Sequence, residues 1–361
     1  FSFRTSPSQA VRQPRLCGTY TGDSALTSYS SATPQNRSGN YTVTTNCGGA
    51  GRFNPTIGMT TSPNTAGSTT TGTTTIAIPV GDEALTDVKV SLPPGMIAQL
   101  SGQARCTIAQ AQASSCPGGT SVGTVVATAG QTGPGTFNGT VYLTDAPDSN
   151  SIAGLYINVP MQVGPIYVDD VEIQARLVLR PDFGVDVIAD IPDAVRGIQL
   201  DQQQLQLTFN KANFLLNPPV CSGNTIAADF GSAQGSTRTN SSAITVTGCG
   251  AMAFAPTLAF SAAPASAGGA SSFTTTVTQP ASTPSVLQSP PETISVTLPT
   301  GVSLSPSANS GSTGLVGCSD AQFSKSDFSN PTCPAASNVG SVVIQTPSVG
   351  RLAGNVYLGT A

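Results

Sequence analysis

The chain repeats itself at an interval of a little over 200 residues, and this constrains its architecture more than any other feature. Asn54-Pro55-Thr56-Ile57, which follows Phe53, returns as Ala255-Pro256-Thr257-Leu258 after Phe254. Val88-Lys89-Val90-Ser91-Leu92-Pro93-Pro94-Gly95 returns as Ile294-Ser295-Val296-Thr297-Leu298-Pro299-Thr300-Gly301. Gly139-Thr140-Val141-Tyr142-Leu143 returns as Gly354-Asn355-Val356-Tyr357-Leu358. Arrays of this kind make surfaces, spacers or filaments more often than a single catalytic pocket.

The surface such units present is polar but nearly uncharged. Charged residues are 9% of the 361, against roughly 25% in a typical soluble domain, and Ser, Thr, Gly, Asn and Gln take their place. Hydrophobic residues make up 38% and the net charge is −4, which favours a folded chain over a disordered one. No stretch is apolar enough to span a bilayer as a helix. No basic cluster is present to neutralise phosphates, so nucleic acid is not expected as a partner.

Eight cysteines form four short-range couples: Cys17 with Cys47, Cys106 with Cys116, Cys221 with Cys249, and Cys318 with Cys333. The first and third match across the repeat, as do the second and fourth. An even count of near neighbours, kept in both copies, reads as disulfides. The alternative, zinc, lacks a Cys-x-x-Cys pair, and the chain has no His. Disulfides point to an oxidising compartment, extracellular or at the cell surface.

Short β-prone runs separated by Gly, Pro, Asn or Asp predict an all-β fold. They include Thr73–Pro79, Val122–Ala127, Val141–Leu143, Leu155–Val159 and Gln202–Phe209. Val171–Leu179 alternates apolar and polar residues, which puts one face on a core and one in solvent. Ile108–Ala113 can form one helical turn ahead of Cys116.

Two kinds of module emerge. Residues 51–146 recur as 251–361, whereas 147–250 is complete only once. Residues 1–50 match the last third of the second kind, about 205–250: Phe1 precedes Cys17 as Leu205 precedes Cys221. The chain is thus expected to enter and leave in mid-array. Either the natural polypeptide is longer, or residues 1–50 complete their sheet with a strand from another molecule.

The order Leu92-Pro93-Pro94-Gly95, Cys106 with Ala109-Gln110, Cys116-Pro117, Ser121-Val122-Gly123 and Gly139–Leu143 resembles a module of large secreted repeat proteins of high-GC Gram-positive bacteria. Val159-Pro160, Gly164-Pro165, Ile191-Pro192 and Asn217-Pro218-Pro219-Val220-Cys221 are similar to the second module of those proteins. The resemblance implies an extracellular, multi-module β-protein and brings no catalytic residue. Thr300 in place of the second Pro departs from the pattern.

Candidate chemistry is sparse. Gly119-Thr120-Ser121-Val122-Gly123 fits the nucleophile-elbow pattern, which needs a strand-to-helix turn and a His base; the second copy has Asn338 at the Ser position. The pattern reads as a turn entering a strand. Asp145, Asp148, Asp169, Asp170, Glu172, Asp182, Asp186, Asp190 and Asp193 crowd the second module. Glycosidase use of such a pair would need aromatic sugar platforms, and aromatics are 6%. Calcium at Asp145–Asn150 or Asp169-Asp170 would lack the twelve-position loop pattern. Asp186 and Asp190 are expected on a solvent face, with Lys89, Arg176 and Lys211 as solvated face charges. Asn36, Asn40, Asn138 and Asn240 head N-glycosylation triplets. The Ser/Thr-rich stretches 60–75 and 271–289 read as polar edge strands or loops, with O-linked sugar as the alternative.

The expectation is an all-β chain of tandem immunoglobulin-like sandwiches of two alternating types, each stapled by a disulfide, with no enzymatic activity, cofactor or metal. It would be a segment of an extracellular fibre, appendage or surface layer that self-associates into a fibre or lattice. The alternative is an adhesin or a virus-particle decoration module, with carbohydrate or a host surface as partner.

Overall fold

The structure is a computed structural model and describes residues 13–14, 17–45, 52–130, 134–182, 184–283, 286–305, 314–324, 330–346 and 348–360. A first hairpin pairs β1 (Gly18–Ser28) with β2 (Ser31–Val43). Then come β3 (Thr56–Ser62), β4 (Thr69–Ala77), β5 (Leu85–Ser91) and β6 (Ile97–Ala98). A five-residue helix, α1 (Ile108–Gln112), precedes β7 (Ser121–Ala129) and β8 (Gly135–Thr144). The next stretch holds β9 (Ala153–Val163), β10 (Ile166–Leu179), β11 (Val185–Asp190), β12 (Ala194–Val195), β13 (Ile198–Gln199), β14 (Gln202–Phe209), β15 (Leu215–Leu216), β16 (Thr225–Ser232) and β17 (Thr237–Ala243). Last are β18 (Thr257–Ala263), β19 (Ser272–Thr278), α2 (Asp320–Phe323), β20 (Asn338–Thr346) and β21 (Gly350–Tyr357). The chain is all-β apart from single helical turns, as its composition of short β-branched runs predicts.

One 13-stranded antiparallel sheet dominates, in the order β17-β16-β5-β11-β10-β9-β8-β7-β14-β4-β15-β6, with β3 also on β4. Local alternation explains each strand's orientation. In β10, Val171, Ile173, Ala175 and Leu177 are buried while Glu172, Gln174 and Arg176 face out. The sheet curls until its ends meet. The Ile57 amide of β3 donates to Asn240 Oδ1 of β17 at 3.0 Å, and a parallel bridge joins Thr65 to Thr247. Inside lies one continuous apolar core running from Phe53 to Val246.

Strands from either side of residue 146 alternate in this sheet. β5 sits between β16 and β11, and β14 sits between β7 and β4. Residue 146 itself falls in the connection between β8 and β9, which pair as a hairpin (Thr140 opposite Asn158, Leu143 opposite Leu155). Each stretch covers edges the other would leave open. Two signature runs also meet here: Gly95 (φ +85°) closes the Leu92–Gly95 turn, and a Cβ on it would lie 2.6 Å from Pro219 Cδ. The neighbouring Asn217, almost fully buried, donates from Nδ2 to the Pro63 and Thr65 carbonyls at 2.8 and 3.0 Å.

Candidate functional site

The repeat reappears bond by bond. Thr107 caps α1 by accepting from the Gln110 amide, while Gln110 Oε1 accepts from the Thr107 amide. Ser319 and Gln322 form the same reciprocal box on α2. Cys106 is tied to the end of β8, its amide donating to the Leu143 carbonyl (2.9 Å) and its carbonyl accepting from the Asp145 amide (3.2 Å). Cys318 is tied in the same way to Leu358 (2.7 Å) and Thr360 (3.1 Å). Hairpin β3–β4 matches β18–β19 in register, with Ile57 opposite Ile76 and Leu258 opposite Val277. Hairpin β7–β8 matches β20–β21.

Among the described residues, however, these hairpins are covered only in the first copy. Ile57 is 5% exposed and its counterpart Leu258 52%; Met59 is 7% and Phe260 43%; Val141 is 0% and Val356 42%. Ile294 and Val296, counterparts of Val88 and Val90 on β5, are likewise exposed and lie in no strand. Hairpins β18–β19 and β20–β21 each stand as a two-stranded sheet, a unit that is marginal in water without further packing. β1–β2 is also a separate two-stranded sheet, exposed along nearly its whole length.

The expected disulfides are in place wherever both cysteines are described. Cys106–Cys116, Cys221–Cys249 and Cys318–Cys333 have Cα–Cα distances of 5.3, 5.9 and 5.2 Å. Cys17 is disulfide-bonded, and Cys47 lies outside the described residues. Cys106 packs with Ala111 of α1 and the buried Tyr156 of β9, so this bridge staples the helical turn onto the sheet.

Ser121 is exposed at the first position of β7, where the chain enters a strand and not a helix. The acidic residues are dispersed into separate pairings. Asp148 Oδ1 accepts from the Asn150 amide (2.9 Å) and Ser151 Oγ (2.6 Å), and Oδ2 from Arg176 (3.3 Å); Ser151 foremost holds its carboxyl below the usual range. Asp169 pairs with Arg196 at 2.6 Å, which lowers its pKa. Asp170 accepts from the Tyr167 hydroxyl at 2.6 Å, and the phenol is pushed up to about 12. Among the described residues no three acidic or sulfur-bearing groups converge as metal ligands.

One expectation about charge needs correction. Asp190 is exposed, but Asp186 is buried, because Arg180 reaches over to it at 2.6 Å and Ser91 Oγ donates at 2.8 Å. Lys89 is half exposed on its face of β5 and pairs there with Asp229 of β16 at 2.9 Å. Alternation predicts which side a residue faces, not the neighbour that will neutralise it.

Between the sheet faces lies an apolar cavity of ≈ 130 Å³, bordered by Met59, Ile76, Leu155, Leu177 and Leu205. Its walls are almost wholly aliphatic, whereas ligand pockets carry placed polar groups that fix orientation. No helix of the described residues is long and apolar enough to cross a membrane. Comparison of the chain with protein-family models, with curated proteins and with solved structures gives no match.

Proposed function

We propose that this chain is a structural segment of an extracellular fibre, appendage or surface layer, built from repeated β-modules that join by exchanging strands between chains. The observation that carries this reading is the exposed apolar face of the described residues of 251–360, whose counterpart in residues 52–146 is covered by strands from residues 153–232. An exposed apolar sheet edge recruits further strands. A contact that joins unlike faces propagates as a filament wherever its rotation does not close a ring.

In this reading the modules are immunoglobulin-like and of two alternating kinds, 51–146 and 251–361 being one kind and 147–250 the other, folded as a pair. Residues 1–50 supply the last third of the second kind. Disulfides support an extracellular setting. The low charge removes the long-range repulsion that would keep like subunits apart. The role is mechanical and non-enzymatic.

The test is assembly of the purified, oxidised chain. Sedimentation velocity over a wide concentration range should show growth beyond the monomer, and electron microscopy should show particles with one repeat distance. A chain that stays monomeric throughout and forms no ordered particle overturns the proposal.

A further inference from the structure

The sheet whose ends meet at Ile57 and Asn240 has 13 strands. A barrel of about eight strands is just filled by its own side chains or holds one small ligand, and larger barrels enclose cavities. The aliphatic cavity of ≈ 130 Å³ is that enclosed space. Ile76, Val125, Ile173 and Leu205 form its floor, and all four are buried. Close-packed interiors keep few voids larger than a water molecule.

Chemistry restricts what can enter. Among the described residues that border the cavity, Thr74 alone has a polar side chain. A buried water needs about two to four polar partners, and one hydroxyl does not supply them. A polar ligand would give up its hydrogen bonds to water and regain none, and an ion would lose far more. An uncharged hydrocarbon loses nothing by the transfer and removes apolar surface from water. The volume sets its size: a cavity of about 150 Å³ walled by Leu, Ile and Phe stays dry and takes benzene or xenon.

The fold also leaves a way in. Leu92 follows β5, Ile152 precedes β9 and Phe209 ends β14. Antiparallel pairing throughout brings these three to one end of the curled sheet. All three border the cavity, and Ile152 is 38% exposed, so the space reaches the surface at this end. Val349 of the second copy borders it as well and is 42% exposed. It is held at the rim because the adjoining Ser348 carbonyl accepts from the Leu100 and Ser101 amides, both at 2.8 Å. The entrance is therefore framed by residues of both copies.

We infer that this cavity is a binding site for one small uncharged hydrocarbon of benzene size, admitted at the Leu92–Ile152 end of the sheet. Contact with branched aliphatic walls holds the ligand, and no hydrogen bond fixes its orientation. The site is independent of the fibre reading above: a chain that assembles but ignores hydrocarbon loses only this site.

The test adds benzene to the folded, oxidised chain and follows the Ile, Leu and Val methyl signals by nuclear magnetic resonance. Saturable shifts are expected at Ile76, Val125 and Leu205, with the exposed methyls of Val220 and Ile294 unmoved. Phenol should bind at least about tenfold more weakly, since its hydroxyl would be buried without a partner. Ala175, buried on the cavity wall, supplies the filling variant. Ala175→Leu should weaken benzene binding at least about tenfold and leave the thermal midpoint level or higher, because the added carbons enter empty space. In a filled interior the same change overpacks and lowers the midpoint. Should that variant fail to fold, the shift map of the parent chain still locates the ligand. No saturable shift up to the solubility of benzene, phenol bound as tightly as benzene, or a folded Ala175→Leu that binds like the parent overturns the inference.

Discussion

Residues 52–146 and 251–360 own the same parts: a hairpin, a capped helical turn, a disulfide, a second hairpin and a parallel bridge from cysteine to strand. In one region the hairpins enclose an apolar interior, and in the other they lie open to water while Cys318 at the bridge stays buried. The difference teaches that turns, caps and bridges are written within each segment, whereas burial is supplied from outside it, by β9–β11, β14 and β16.

The largest expected effect breaks the comparison at matched core positions. Met59→Ala should lower unfolding stability by about 2–5 kcal/mol, the usual range for emptying a buried site. Phe260→Ala, at the counterpart, should cost under about 1 kcal/mol, as for other surface changes. Urea midpoints measure both; equal losses would mean that the second copy is covered in solution.

Disulfides come next. Replacing Cys106 and Cys116 together, or Cys318 and Cys333 together, releases loops whose closure is worth about 3 kcal/mol on the chain-entropy model. The first pair should cost more, since Tyr156 of β9 loses its packing on Cys106. Near the second, Phe323 of α2 meets Tyr357 of β21 edge-on, with ring centroids at 6.2 Å. Guanidinium unfolding, with intact mass to verify bridging, reports the difference. A larger loss from the second pair would reverse the ranking.

The smallest effect concerns pH. Lys89 and Asp229 hold each other charged: the hydrogen bond between them raises the ammonium pKa and lowers the carboxyl pKa. Asp229 therefore adds stability at pH above its unfolded value of about 3.9, and loses it as pH falls through the lower folded value. Lys89 contributes fully below about 10.4 and loses its share as pH rises through its higher folded value. Both groups are roughly half exposed, so the pair is worth under about 1 kcal/mol. Ser295 replaces Lys89 in the second copy. Asp229→Ala should accordingly flatten the acid limb of the stability curve for the first copy. An unchanged limb would assign it to other carboxylates, with Asp182 beside Arg180 foremost.

Much of the fold is readable from residues alone. Gln202–Phe209 is β14, the helical turn at Ile108 is α1, and Val171–Leu179 lies wholly within β10. These are local signals, carried by periodicity and capping chemistry. The interleaving is not readable. A strand's alternation states which face meets the core but not which strand lies beside it. The pairing of Val88 with Phe230 joins positions far apart in the chain, and no nearby pattern announces it. Asp186 departs from its expected solvent face for the same reason, since the Arg180 that makes its burial tolerable lies across a turn. Gly123 and Gly139 are visible as letters, but what they are for shows only beside the paired strand, where a Cβ would collide with the Thr208 or the Asn158 carbonyl oxygen.

The seating of β14 beside β4 also sets an order of events. Ala77 must wait for Gln204 before that side of the sheet can close. At about 5–20 residues per second of synthesis, the intervening stretch takes several seconds to emerge. Closing so long a loop is itself slow, as in other folds dominated by distant pairings. Throughout that interval the nascent chain shows bare edges like those of β19 and β20, so holding it apart from its neighbours until release becomes a task for whatever escorts it.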